Sequence, residues 1–211
     1  MNRREFSAAL VASTLPLAAV AQGAAPAEGT QFVKVEPPVP PIGQGKIEVI
    51  EFFSYACPHC AAFEPTLEAW AKKLPADAVL HRVPAPFLMN AENFMKTYYA
   101  LETMNQVTAL QRKIFSAVHV EHQRLDKPAD IAALVGKNGV DATKFLDVFN
   151  SFSVATSVAR AKKLATAAKL DSVPTLLVGG RYMTSPSLAG GSDQAVAVAE
   201  FLIQKEKSRK S

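Results

Sequence analysis

The chain has 211 residues, of which 49% are apolar, and a formal net charge of +4. That apolar fraction supports a real core without disulfide props. No basic patch interleaved with aromatics occurs, which excludes nucleic acid as a partner. Two cysteines are too few for a disulfide-built scaffold.

The first stretch differs from the rest. Arg3 and Arg4 precede an apolar run from about Ala8 to Ala21, which ends in the small-residue site Ala19-Val20-Ala21. This is the pattern of a cleavable export signal over residues 1–21, so the mature protein is expected to be exported. The run is shorter than the roughly 20 apolar residues of a spanning helix, and Pro16 interrupts it. The RRxF start also fits the twin-arginine route. The basic C-terminal "KEKSRKS" reads as a solvated end.

Phe32, Val33 and Val35 form a short alternating run, followed by a Pro/Gly-rich connection. "IEVIEFFS", residues 47–54, is almost continuously apolar and reads as a buried central strand. A helix should follow at once. Pro58 suits its first position, where a missing N–H is harmless, and Cys60, Phe63, Leu67, Trp70 and Leu74 recur at helical spacing. Pro65 falls inside this helix and should kink it. "AVLHRVPAPFL" reads as a further strand.

From Ala91 to about Ala168 the pattern is helical, with segments at 93–104, 107–118, 129–139 and 142–150. The last helix carries a stripe of Val154, Val158, Ala161, Ala165 and Ala168. After Pro174, "TLLVGG" and "RYMTS" predict a hairpin turning at Gly179-Gly180. "SDQAVAVAEFLIQKEK" closes the chain as a helix capped by Ser192 or Asp193. The order is that of one α/β domain, residues 30–90 and 170–207, interrupted by an all-helical insertion at 91–169.

Cys57 and Cys60, in "SYACPHCAAFEP", are the only cysteines. A zinc site needs about four ligands. Among the histidines, His59, His81, His119 and His122, none pairs tightly with the motif, so no metal is expected. His119 and His122, around Glu121, read as exposed polar loop residues. A bridge between Cys57 and Cys60 closes a very short loop, and short loops restrain the unfolded chain least.

Redox chemistry suits the neighbours better. Cys57 lies where a strand ends and a helix begins, so unpaired helix N–H groups favour its thiolate. His59 can stabilise the same charge. Cys60, on the apolar stripe, should be the sheltered sulfur and Cys57 the exposed one. A stabilised Cys57 thiolate favours the reduced form and makes the disulfide an oxidant.

"EFFSYACPHCAAFEP", with "SVPT" much later, resembles the DsbA-type thiol:disulfide oxidoreductases of bacterial export compartments, over nearly the whole mature chain. The resemblance implies a thioredoxin-like fold with a helical insertion. Its CPHC motif places Cys57, Pro58, His59 and Cys60 in the catalytic centre. Within Val173-Pro174-Thr175, Pro174 matches the family's cis-proline, packed on the disulfide, with the Val173 backbone free to pair with an extended client.

The resemblance also places an acid beneath the disulfide at Glu51. A carboxyl in that apolar strand should be desolvated, with a raised pKa, and able to exchange a proton with Cys60. Glu64 is expected to be a solvated helix glutamate. The family's best-known member has a lysine in the next strand, where this chain offers His81 or Arg82.

The resemblance implies a monomeric oxidase of unfolded exported proteins with free thiols, reoxidised by a DsbB-type membrane quinone-linked partner. No cofactor beyond the Cys57–Cys60 disulfide is required. The alternatives are an isomerase or reductase on the same fold, or a non-catalytic peptide-binding chaperone. Isomerases of this family usually carry an N-terminal dimerisation domain, for which the stretch ahead of the central strand is too short.

Overall fold

The computed structural model describes residues 25–210; the export-signal stretch, including the twin arginines, lies outside them. The core of the molecule is a sheet of five strands: β1 (Val33–Lys34), β2 (Ile47–Phe53), β3 (Ala78–Pro84), β4 (Thr175–Val178) and β5 (Tyr182–Thr184). Their order is β1-β5-β4-β2-β3. β2 runs parallel to β3 and antiparallel to β4. All seven residues of β2 are buried, which explains why its sequence is a nearly unbroken apolar run.

α1 (Pro58–Ala71) starts directly after β2 with Pro58 in its first turn, and it runs unbroken through Pro65. Its inward face carries Cys60, Phe63, Glu64, Leu67 and Trp70. Phe63, Leu67 and Trp70 pack with Val49, Leu176, Val198 and Leu202 on one side of the sheet. α8 (Ser192–Lys210) covers that same side.

Between β3 and β4 lie α2 (Ala91–Thr103), α3 (Val107–His119), α4 (Pro128–Lys137), α5 (Ala142–Phe149) and α6 (Phe152–Ala167). Asp141 and Ser151 cap α5 and α6 through their side-chain oxygens. In α6 the stripe Val154, Val158, Ala161 and Ala165 is buried. It joins Phe145, Phe149, Ile131 and Leu101 in a core continuous with Ile50 and Phe52 of the sheet. This is a thioredoxin-like fold carrying a helical insertion, and the shared core ties the two parts together.

The hairpin turns at Gly179 and Gly180, both at positive φ. At Gly180 an added Cβ would lie 2.1 Å from the Val39 carbonyl oxygen, so the close approach itself excludes a side chain. β1 is shorter than its alternating run implies. A one-turn helix, α7 (Pro186–Ala189), interrupts the link to α8. Its four residues are too few to leave a periodic pattern. No helix of the described residues is long and apolar enough to cross a membrane.

Candidate active site

The end of β2, the start of α1 and the loop before β4 meet around Cys57. The turn from Ser54 to Cys57 is closed by the Cys57 N–H donating to the Ser54 carbonyl at 3.0 Å. Cys57 is the N-cap of α1, and its Sγ accepts the Cys60 N–H at 3.2 Å. One of the helix's unsatisfied donors therefore ends on the sulfur. Across the gap, the Val173–Pro174 bond is cis, and the Cys57 thiol donates to the Val173 carbonyl at 3.4 Å. Thr175 Oγ1 donates to Ser172 O at 2.9 Å, closing the loop that carries Val173 and Pro174.

The two sulfurs sit in unequal surroundings, although exposure does not distinguish them. Cys57 is 4% exposed and Cys60 0%, so the expectation of an exposed Cys57 is corrected: the cis-proline loop covers it. The Cys57 pKa is lowered to about 6. The largest cause is the hydrogen bond from the Cys60 thiol. Burial opposes it, while the backbone N–H groups of Cys60 and His59 and the nearby His59 imidazole add to it. Cys60 is pushed strongly up, by burial first and then by the bond and charge of Cys57. Pro58 and His59 themselves stand exposed at the rim.

Beneath the cysteines lies a charged cluster. Glu51 is 0% exposed, and its register partner on β3 is Arg82. The Arg82 Nε donates to Glu51 Oε2 at 3.1 Å, and its Nη2 donates to Glu64 Oε1 at 2.7 Å. Of the two candidates for the basic residue, Arg82 is therefore the one that reaches the acid; His81 lies 3.7 Å from Glu48.

Glu64 corrects its expected solvation. At 2% exposure it is buried, because it lies one turn after Cys60 on the face of α1 turned to the sheet. Its i+4 relation to Cys60, within the Phe63/Leu67 stripe, was the available sequence signal. Two carboxyls share one guanidinium. Glu51 Oε1 and Glu64 Oε2 find no hydrogen-bond partner among the described residues, which favours the protonated form of at least one acid. Burial, against the pull of Arg82, pushes Glu51 up to about 8 and raises Glu64 as well.

His119 is the third correction. It ends α3, half-buried, and its Nε2 lies 2.8 Å from the Tyr55 carbonyl oxygen, two residues before Cys57. Only His122 is the exposed loop residue expected of both. Among the described residues no His, Cys, Asp or Glu group is arranged to hold a metal ion.

A dithiol at a helix N-terminus, faced by a cis-proline loop on this fold, defines a thiol:disulfide oxidoreductase of the thioredoxin class. Residues 78–201 match the family model described as the DSBA-like thioredoxin domain. The chain is 43% identical over 211 residues to the thiol:disulfide interchange protein DsbA of Bordetella parapertussis, covering 98% of this chain and 100% of that one. It is 41% identical over 182 residues to the protein of the same name from Pseudomonas aeruginosa, covering 85% of each.

Among solved structures, Pseudomonas aeruginosa DsbA superposes with a TM-score of 0.84 at 39% identity, over 87% of this chain and 96% of that one. The oxidoreductase DsbA from Xylella fastidiosa gives 0.80 at 28% identity, over 87% and 98%. The chain belongs to the DsbA family.

Proposed function

We propose that this protein is an oxidase that donates its Cys57–Cys60 disulfide to reduced, unfolded proteins exported to the periplasm. The observation that carries the reading is the inequality of the two sulfurs: Cys57 caps α1, its Sγ accepting the Cys60 N–H at 3.2 Å, and its pKa is lowered, while burial pushes Cys60 up. A thiolate stabilised only in the reduced protein favours that state, and so makes the disulfide easy to reduce.

In the forward reaction a client thiolate attacks Cys57 Sγ. The Cys57–Cys60 bond breaks and its electron pair leaves on Cys60, whose high pKa demands a proton. Neutral Glu51, electrostatically coupled to Cys60, is the proposed proton source, and the Arg82 guanidinium on its Oε2 balances the negative charge that the proton leaves behind. The client's second thiolate then attacks the client sulfur of the mixed disulfide and expels Cys57, a good leaving group because its pKa is low. The client gains one disulfide and the protein becomes a dithiol.

Val173, Pro174 and Thr175 form the proposed client-pairing edge, where an extended peptide would engage the Val173 backbone. His59 tunes how strongly the pair oxidises. The protein acts as a monomer, needs no cofactor besides its disulfide, and is returned to the oxidised state by a DsbB-type membrane quinone-linked partner. The test is refolding of a reduced client with a stoichiometric amount of oxidised protein. One client disulfide should form per protein, and none with Cys57→Ser/Cys60→Ser. Undiminished oxidation by that double variant would remove the reading.

A further inference from the structure

α3 presents one residue per turn to the redox loop. Gln111, Phe115 and His119 are spaced at i, i+4 and i+8 and so share a stripe of the helix. All three touch Tyr55. The Tyr55 hydroxyl donates to Gln111 Oε1 at 2.6 Å. The Phe115 ring meets the Tyr55 ring edge-on, with centroids 5.2 Å apart at 64°. His119 reaches the Tyr55 main chain at 2.8 Å. A carbonyl oxygen can only accept, so His119 Nε2 carries the hydrogen and donates it.

Tyr55 is itself fully buried and lies inside the turn that the Ser54 carbonyl and the Cys57 N–H close. The peptide plane that His119 holds is the one leading through Ala56 into Cys57. Its orientation sets how the Cys57 sulfur meets the Cys60 N–H at the start of α1. Phe115 and His119 also line a cavity together with Glu64, so the same stripe borders the acid cluster beneath the disulfide.

We propose that Gln111, Phe115 and His119 form a three-point clamp on Tyr55 that positions the Cys57 sulfur, making the helical insertion part of the redox centre. His119 is a positioning residue: it acts through the Tyr55 carbonyl and touches no reacting atom. The inference rests on Cys57 being the sulfur that exchanges with clients in the proposed oxidase.

The test compares the intact protein with His119→Ala, His119→Gln and Tyr55→Phe. Two readouts are used on each: the thiolate absorbance of the reduced protein against pH, and the equilibrium with glutathione. With His119→Ala, the Cys57 midpoint should rise and the equilibrium should move toward the disulfide form by about threefold to tenfold, the range one lost hydrogen bond commands. His119→Gln, whose amide can donate to the same carbonyl, should stay near the parent. Tyr55→Phe should shift in the same direction by less.

A His119→Ala protein that loses thermal stability but keeps both redox readouts would overturn the clamp. So would His119→Gln shifting as far as His119→Ala. If His119→Ala does not fold, Tyr55→Phe decides, and an unchanged titration there overturns it equally. A parent protein with no thiolate titrating near 6 would instead remove the assignment of Cys57, a separate failure.

Discussion

Glu51 provides a sharp test of the acid cluster, because replacing it with glutamine keeps the shape and removes the titration. Burial holds its carboxyl at about 8 in the folded protein, against 4.5 for an ordinary glutamate. Between those values the folded chain retains a proton that the unfolded chain gives up, so stability must fall as pH rises through this window. At about 1.4 kcal/mol per pH unit, the loss from roughly pH 5 to pH 7.5 is about 3 kcal/mol. Glu51→Gln should lack this component, whatever constant change the lost carboxylate–Arg82 bond adds. Urea unfolding of the reduced protein at both pH values measures it. The parent should weaken by about 3 kcal/mol more than the variant on going to the higher pH. Parallel pH profiles would mean that Glu51 titrates normally, and would refute its assignment as the proton source for Cys60.

Three further outcomes follow from the geometry. His59→Pro removes a backbone N–H and an imidazole that both lower the Cys57 pKa. Its thiolate titration should move up by about one pH unit, making the protein about 30 mV less oxidising. Cys60→Ser, its Cys57 thiolate attacking a client that carries a disulfide and releasing one client thiol, should hold that client as a stable mixed disulfide, visible as a band shift on non-reducing gels, while Cys57→Ser should trap none. Gly180→Ala forces a left-handed alanine at φ 67 against the Val39 carbonyl and should destabilise the fold by about 2 kcal/mol or more in chemical unfolding.

The parts of this account that lie close together in the chain were legible in the sequence. The apolar run of β2, Pro58 at the start of α1, the Cys57/Cys60 spacing and the helical character after Ala91 are all local patterns, and each marks the element it forms. The Gly179-Gly180 turn is of the same kind. What escaped depends on partners distant in sequence. Glu64 looks solvated until α1 is laid on the sheet and Arg82 rises beneath it from β3. Whether His81 or Arg82 reaches Glu51 is decided by strand register, since neighbours on a strand face opposite sides. His119 meets Tyr55 across 64 residues, and its role depends on where the end of α3 docks. The cover over Cys57 likewise comes from Val173, which lies 116 residues away.

The redox equilibrium of the Cys57–Cys60 pair against glutathione tests the central claim most directly. A Cys57 thiolate stabilised to about 6 and a sheltered Cys60 predict an oxidising couple, with a potential above about −200 mV. A potential near the −270 mV typical of thioredoxin, roughly the level of a general reductant, would contradict the oxidase and make the protein a donor of electrons.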